Sequence, residues 1–169
     1  MKDLVNKPSI TDDEKATLVR TAIEHRATWF YLLLKEVEKR GLDMEEVGRA
    51  AIYNCGCFHG IEKILKNCEN PDDMRSFLKV FADETGQKVF EMEILKNDED
   101  TLNIDFHYCP LVSAWQKLGA TAEELPLLCD IAMDGDRGIC SKMNGYKFEL
   151  GKVIAKGEGI CEIRISKGE

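Results

Sequence analysis

Residues 101–119 constrain the fold more than any other stretch, because a strand pattern runs directly into a helix that starts at a proline. Apolar and polar residues alternate over 101–108, which is the period of a half-buried strand. Pro110 favours an extended conformation at the preceding Cys109 and suits the first position of a helix. The chain is therefore predicted to turn sharply from strand to helix at Cys109.

This turn gives Cys109 a chemical context. Apolar residues at helical spacing follow it, and Gly119 suits the position just past the end of the helix. Cys109 is then the N-cap, where free N–H groups and the helix dipole lower a thiol pKa. We expect Cys109 to have the lowest pKa of the seven cysteines, with His107 near enough to assist. The alternative is a small buried residue at a strand–helix join, since free cysteine is often buried.

Three acidic residues follow in residues 130–136. Asp130 and Asp134 are predicted to lie on the last turns of a helix, where like charges at i, i+4 repel and oppose the dipole. This unfavourable choice makes Asp130 a candidate functional residue, with Arg137 as a pairing partner for one of the two. Asp136 follows Gly135 and is interpreted as a solvated turn residue.

The remaining patterns predict the fold class. Capping signals at Thr11–Glu14 and Asp43–Glu46 start two helices, and a third runs from Asn70-Pro71 to Gly86. Strands are predicted at 89–95, 101–108, 146–154 and 159–165, with one more helix starting near Thr121 or Pro126. The prediction is α+β: an N-terminal helical layer packed on a four-stranded antiparallel sheet. Residues 1–10 form a flexible arm, and 11–169 form a single domain that is helical over 11–86 and mixed over 87–169.

Composition restricts the partners. A net charge of −8 with no basic block argues against nucleic acid. The N-terminal residues lack the apolar core of a signal peptide, and no apolar run could span a bilayer. We therefore expect a cytoplasmic protein with a small-molecule substrate, no nucleic acid and no membrane partner. A homo-oligomer is left open.

Cysteine and histidine side chains could also bind a metal ion. Cys55, His59 and Glu62 share one helical face at i, i+4 and i+7, although close helix packing through Gly56 and Gly60 explains the same segment. The spacings match no standard zinc site or disulfide framework. No cofactor is predicted and a metal is left open. The alternative function is therefore a non-enzymatic small-molecule or metal-binding module that uses the Cys/His cluster, and a disulfide switch at Cys109 is a third hypothesis.

Two segments carry a family resemblance. FHYCPLVSAWQKLG (106–119) and LCDIAMDGDRGIC (128–140) resemble the L-2-amino-thiazoline-4-carboxylic acid hydrolase family of bacteria. The resemblance implies hydrolytic opening of a thiazoline ring to N-carbamoyl-cysteine, by attack on an amidine-like carbon that expels a thiolate.

The roles that this chemistry needs can be assigned to residues already singled out. Cys109 would act as nucleophile or orient water, His107 would shuttle protons, and Asp130 completes the catalytic set. Asp130 or Asp134 would hold the cationic amidine, and Arg137 would receive the substrate carboxylate. The residues expected to bind substrate are Asp134, Arg137, Trp115 and His59.

Overall fold

The computed structural model describes residues 4–168 and has the predicted α+β architecture. The described residues form six α-helices: α1 (Glu14–Lys39), α2 (Met44–His59), α3 (Met74–Phe81), α4 (Glu84–Phe90), α5 (Pro110–Lys117) and α6 (Glu124–Cys140). A π-helical segment, Gly60–Leu65, continues α2. None of the helices within residues 4–168 is both long and apolar enough to cross a bilayer.

Four strands form one antiparallel sheet, which confirms the predicted sheet. They are β1 (Met92–Asn97), β2 (Thr101–Phe106), β3 (Tyr146–Leu150) and β4 (Cys161–Lys167), in the spatial order β1-β2-β4-β3. The two central strands are β2 and β4, where Ile104 lies opposite Ile163. β3 begins at the predicted residue 146 but ends at Leu150 instead of 154, where the connection to β4 forms a short 3₁₀ turn, Ile154–Lys156. β4 lies two residues later than the predicted 159–165.

Aspartates begin the first two helices. Asp13 caps α1 in place of the predicted Thr11, and its carboxylate accepts a hydrogen bond from Ala16 N at 2.8 Å. Asp43 caps α2 through two backbone N–H groups of the first turn, as predicted. Both long N-terminal helices are therefore defined by local sequence.

The segment between α2 and β2 corrects the prediction of one helix that stops at Gly86. Two helices, α3 and α4, occupy it, and Gly86 lies in the first turn of α4. The Gly86 N–H donates to the Asp83 carboxylate at 2.7 Å, so this glycine lies at the start of a helix. Because α4 runs to Phe90, β1 begins at Met92 and not at residue 89.

Gly135 and Asp136, predicted to form a turn after the helix, lie in the interior of α6. The cause is the packing of α6 on α2. A Cβ atom on Gly56 would overlap the carbonyl oxygen of Gly135, and one on Gly138 would overlap that of Tyr53. Glycine therefore lets the two helix backbones touch, and this contact overrides the turn tendency of Asp-Gly.

Two hydrophobic clusters form the core. The first joins α1, α5 and α6 and contains Trp115 and Leu128, both almost fully buried. The second lies between α3 and the central strands and contains Phe77 and Ile163. Phe106, at the end of β2, packs against both clusters. The strand–helix turn that follows Phe106 is thus attached to the whole core.

Glu91, between α4 and β1, ties the segment before α1 to the rest of the protein. Its backbone is left-handed (φ 52°), which is uncommon for a residue other than glycine. Its carboxylate accepts hydrogen bonds from Ser9 N at 2.7 Å and from the next backbone N–H at 2.9 Å, and it pairs with Arg20 at 3.0 Å. The proposed arm is therefore hydrogen-bonded to the domain at its C-terminal end; residues 1–3 lie outside the described part of the chain.

Candidate active site

The strand–helix turn has the predicted geometry. Cys109 is the N-cap of α5, with an extended backbone (φ −133°, ψ 111°), and Pro110 is the first residue of the helix. The Cys109 carbonyl accepts a hydrogen bond from Ser113 N at 3.1 Å and so begins the helical hydrogen-bond pattern. The local sequence was sufficient to place Cys109 here.

Asn6 encloses the backbone of Cys109, which the sequence did not predict. The Asn6 amide donates to the Cys109 carbonyl oxygen at 2.8 Å, and the Cys109 N–H donates to the Asn6 carbonyl oxygen at 3.0 Å. One side chain thereby satisfies both backbone groups of the N-cap. Because more than one hundred residues separate the two, no local pattern could have indicated the contact.

The thiol of Cys109 is buried in the first core cluster together with Cys129 and Cys161. Burial raises the pKa of Cys109, although the backbone N–H groups of the first turn of α5 and the charge of Arg26 act in the opposite direction. The prediction of a lowered pKa is therefore wrong. Loss of hydration of the thiolate outweighs the favourable helix N-terminus.

His107 occupies a different environment from Cys109. It follows the last residue of β2, its side chain is exposed, and its Nε2 lies 3.1 Å from Glu93 Oε2 on the neighbouring strand. The imidazole thus pairs with a surface carboxylate, while the thiol faces the core.

Trp115 is buried, whereas His59 is exposed. Trp115 shares the first core cluster with Cys109, and its Nε1 donates to the Ala27 carbonyl oxygen at 3.1 Å, which fixes α5 to α1. His59 ends α2 at the surface, with its ring edge against Phe58. The structure therefore places Trp115, and not His59, in the same core cluster as the candidate thiol.

Asp130, Asp134 and Arg137 lie together, and Arg49 of α2 joins them. Arg137 binds Asp130 Oδ1 at 2.6 Å and Asp134 Oδ1 at 2.6 Å. Arg49 binds Asp130 Oδ2 at 2.6 Å and Asp134 Oδ2 at 3.1 Å. The predicted pairing of Arg137 with the acidic residues is confirmed, and Arg49 is the member that the sequence did not indicate.

In this four-residue cluster each carboxylate oxygen already has an arginine partner. Burial alone would raise the pKa of Asp130, but hydrogen bonds from Arg137 and Arg49 overcome it and lower the pKa. The cluster joins α2 to α6 beside their glycine contact. Two carboxylates at i, i+4 are thus compensated by two arginines, which removes the apparent conflict in the sequence.

Asp136 is the acidic residue that the sequence interpretation undervalued. Burial raises its pKa to about 6, against the charges of Arg26 and Arg137, which lower it. No hydrogen bond or ion pair within residues 4–168 holds its carboxylate. A carboxyl group with this pKa can exchange a proton near neutral pH.

One signal for Asp136 was present in the sequence. If α6 is continued through Gly135, Asp136 falls seven residues after Cys129 and four before Cys140, on one helical face with two buried thiols. The expected turn at Gly135 hid this spacing.

Arg26 of α1 is the cation common to the two groups that can react. Its charge lowers the pKa of the Cys109 thiol and of the Asp136 carboxyl, in each case against the effect of burial. Cys109 is thus a candidate thiol nucleophile and Asp136 a candidate titratable acid, and the charge of Arg26 acts on both. The thiol on which the charge of Asp136 acts is Cys140.

The predicted metal-binding alternative receives no support from the geometry. Cys55 and His59 are exposed on α2, whereas Cys109, Cys129 and Cys140 are buried. Within residues 4–168, no three His, Cys, Asp or Glu side chains are grouped so as to hold a metal ion.

The comparison with known families covers most of the chain. The sequence profile of the L-2-amino-thiazoline-4-carboxylic acid hydrolase family matches residues 20–165. The chain belongs to this family. The resemblance carried by residues 106–119 and 128–140 is thereby confirmed. No curated protein and no solved structure gives a significant match.

The range that matches the family includes some of the residues around the turn and excludes others. As a member of the L-2-amino-thiazoline-4-carboxylic acid hydrolase family, the chain has Arg26, Cys109 and Asp136 inside the matched range. Asn6, which holds the Cys109 backbone, precedes that range. The candidate reactive groups thus lie in the part that matches the family, and the side chain that holds the Cys109 backbone lies in the preceding segment.

Proposed function

We propose that this protein is a hydrolase that opens a small cyclic amidine of the L-2-amino-thiazoline-4-carboxylate type, with Cys109 as its nucleophile. Membership of the hydrolase family over residues 20–165 is the observation that carries the proposal. The position of Cys109 at the N-cap of α5 supports the role of the thiol, because the positive end of a helix favours negative charge on sulfur as the reaction proceeds.

The reaction would take two steps. First, Cys109 Sγ bonds to C2 of the ring, the bond between C2 and the ring sulfur breaks, and the thiol proton is transferred to the departing sulfur. Second, a water oxygen bonds to C2, the bond between Sγ and C2 breaks, and Sγ regains a proton from that water. The sum is addition of one water to the thiazoline, which gives N-carbamoyl-cysteine.

We propose that Asp136 carries the proton in both steps through intervening water, since the thiol on which its charge acts directly is Cys140. A buried thiol with a raised pKa stays protonated at rest, so it needs a base at the moment of attack. The carboxylate of Asp136, with a pKa of about 6, can accept that proton at neutral pH and return it to the leaving sulfur. Arg26 would limit the accumulation of negative charge on the two groups.

The roles predicted for the acidic residues, Arg137 and His107 would each require an existing contact to break. A substrate that used Asp130, Asp134 or Arg137 would first have to displace an existing ion pair. His107 would have to leave Glu93 to reach the thiol. We therefore propose Asp136 for proton transfer ahead of His107, and His107→Ala tests the choice: loss of turnover comparable to that of Asp136→Asn would favour His107.

The decisive experiment is turnover of purified protein with L-2-amino-thiazoline-4-carboxylate and a panel of cyclic amidines, with N-carbamoyl-cysteine or its analogue measured by mass spectrometry. Cys109→Ser should reduce turnover by about a thousandfold or more, because an alcohol is a much poorer nucleophile than a thiol. Serine is also a good N-cap, so the helix should remain intact. In Asp136→Asn, quenched samples should show a mass adduct on Cys109 if the second step is slowed.

Cys68→Ser provides the matched control. Cys68 is also a buried thiol, but it contacts Ser76 and lies outside the cluster that contains Cys109. This variant should retain turnover. Absence of ring opening by the wild type across the panel, with or without added divalent metals, would reject the proposed activity, and full turnover by Cys109→Ser would reject the nucleophile.

A further inference from the structure

Helix α1 has a second apolar face that the protein leaves uncovered. One face is buried and includes Ala27 and Leu34. On the opposite side, Leu18, Trp29 and Leu33 are 64%, 63% and 61% exposed. With exposed Ala22 they stand at helical spacing, i, i+4, i+11 and i+15, and form one stripe. Apolar patches of this kind on soluble domains mark sites of interaction.

The stripe has both a projection and a recess. Trp29 is the projection, and its Nε1 donates to His25 Nε2 at 3.0 Å, which holds the indole on the surface of the helix. The recess is an open groove of about 430 Å³, lined by Leu18, Val19, Ala22, Ile23 and Arg26. The small side chain of Ala22 leaves the groove open. Trp29 is held on His25 and does not line the groove of its own copy, so the helix carries an aromatic ring and a separate apolar recess.

We propose that this stripe binds the same stripe of a second copy, with the two α1 helices antiparallel. A two-fold axis between residues 25 and 26 lies near the middle of α1, so the helices overlap almost completely. That axis places the partner's Trp29 opposite Ala22 and the partner's Leu33 opposite Leu18. Each indole then enters the groove of the other copy, as a self-complementary interface requires.

Charge complementarity fixes the same register. The axis that pairs the apolar residues also places Lys15 opposite the partner's Glu36, at both ends of the interface. Lys15 and Glu36 are both exposed, and Glu36 is already bound to Lys39 and Arg40 of its own helix. A parallel arrangement would place Lys15 beside the partner's Lys15. The charges therefore favour antiparallel pairing and disfavour the parallel alternative.

The test is the oligomeric state in solution. Sedimentation equilibrium and light scattering of the full chain, up to about 100 μM, should show a dimer. Trp29→Ala should raise the dissociation constant by about tenfold or more, because each dimer loses two buried indoles. Lys15→Glu and Glu36→Lys should each weaken the dimer, and the double variant should restore it, since the reversed charges again face each other.

The control is Leu95→Glu. Leu95 is an exposed apolar residue of β1, away from α1, so this variant should dimerise as the wild type does. A wild type that stays monomeric over the whole range would overturn the proposal. So would a dimer that neither Trp29→Ala nor the single charge reversals weaken. Binding of monomeric wild type to lipid vesicles that Trp29→Ala abolishes would assign the stripe to a membrane and would overturn it as well.

Discussion

Gly56 of α2 and Gly135 of α6 are in backbone contact, and a Cβ atom on Gly56 would overlap the carbonyl oxygen of Gly135. Backbone cannot move aside as a flexible side chain can. Gly56→Ala should therefore force the helices apart and lower the free energy of unfolding by about 2–4 kcal/mol. Urea unfolding followed by circular dichroism measures the change.

Gly135→Ala is the matched control on the other helix. A Cβ atom there would meet Ile52 Cγ2 at 3.6 Å, an ordinary contact. We expect the stability to be unchanged or to rise by up to about 1 kcal/mol, because alanine favours a helix over glycine. Equal losses in the two variants would show that the contact at Gly56 is not the cause.

The arginine–carboxylate cluster should contribute to stability in proportion to burial. The side chain of Asp134 is 11% exposed and that of Asp130 is 40% exposed. Asp134→Asn should therefore lower the free energy of unfolding by about 2 kcal/mol, and Asp130→Asn by less. A larger loss for Asp130→Asn would contradict this order.

The same cluster makes stability depend on acid. Hydrogen bonds from Arg137 and Arg49 hold the pKa of Asp130 below its ordinary value in spite of burial. This stabilisation is present above the pKa of an unfolded aspartate, about 4, and is lost as the pH falls through the lower folded value. Asp130→Asn should flatten the acid limb of a stability–pH curve.

Asp136 should make stability depend on pH in the opposite direction to Asp130. Its pKa is raised to about 6, so the folded protein keeps a proton that the unfolded chain releases near pH 4. The protonated Asp136 does not lower the free energy of unfolding below about pH 4. The free energy of unfolding then falls between about pH 4 and pH 6, and above pH 6 the loss is constant. Asp136→Asn should therefore raise the free energy of unfolding at pH 7 by about 1–3 kcal/mol. Unfolding at pH 4 and 7 measures the difference, and a destabilised variant at pH 7 would contradict the assignment.

Labelling with iodoacetamide should separate the thiols by accessibility. Cys55 is exposed and should react first, whereas Cys109 is buried with a raised pKa and should react slowly. Asn6→Ala removes both hydrogen bonds to the Cys109 backbone and should speed its labelling by several fold. Cys161, buried but not contacted by Asn6, is the internal control. Rapid labelling of Cys109 in the wild type would contradict the burial that raises its pKa.

Local sequence patterns correctly predicted the features that depend on neighbouring residues, such as helix caps and strands. The N-cap at Cys109 followed from Pro110, and the capping box before α6 is formed: Glu124 N donates to Thr121 Oγ1 at 3.2 Å and Thr121 N to Glu124 Oε2 at 2.8 Å. The alternation of β2 and the four-stranded antiparallel sheet were confirmed for the same reason.

Contacts between distant segments could not be predicted in this way. The turn tendency of Gly135 is overridden by Gly56, which lies 79 residues earlier in the chain, and the pairing of Asp130 with Arg49 depends on that same packing. The pKa shift of Cys109 was predicted in the wrong direction. A helix N-terminus, which lowers a thiol pKa, can be predicted from local sequence, whereas the burial that raises it depends on the whole core.

Glu91 is subject to two demands that no single residue satisfies. Its left-handed backbone (φ 52°) favours glycine, while its carboxylate holds Ser9 and Arg20. Glycine would relieve the backbone but remove the hydrogen bonds to Ser9, and most other residues would lose both advantages. Substitution at this position is therefore restricted, and a homologue that has glycine at residue 91 should also have changed residue 9, whereas Arg20 would keep its hydrogen bonds to the carbonyl oxygens of Ile10, Lys88 and Val89.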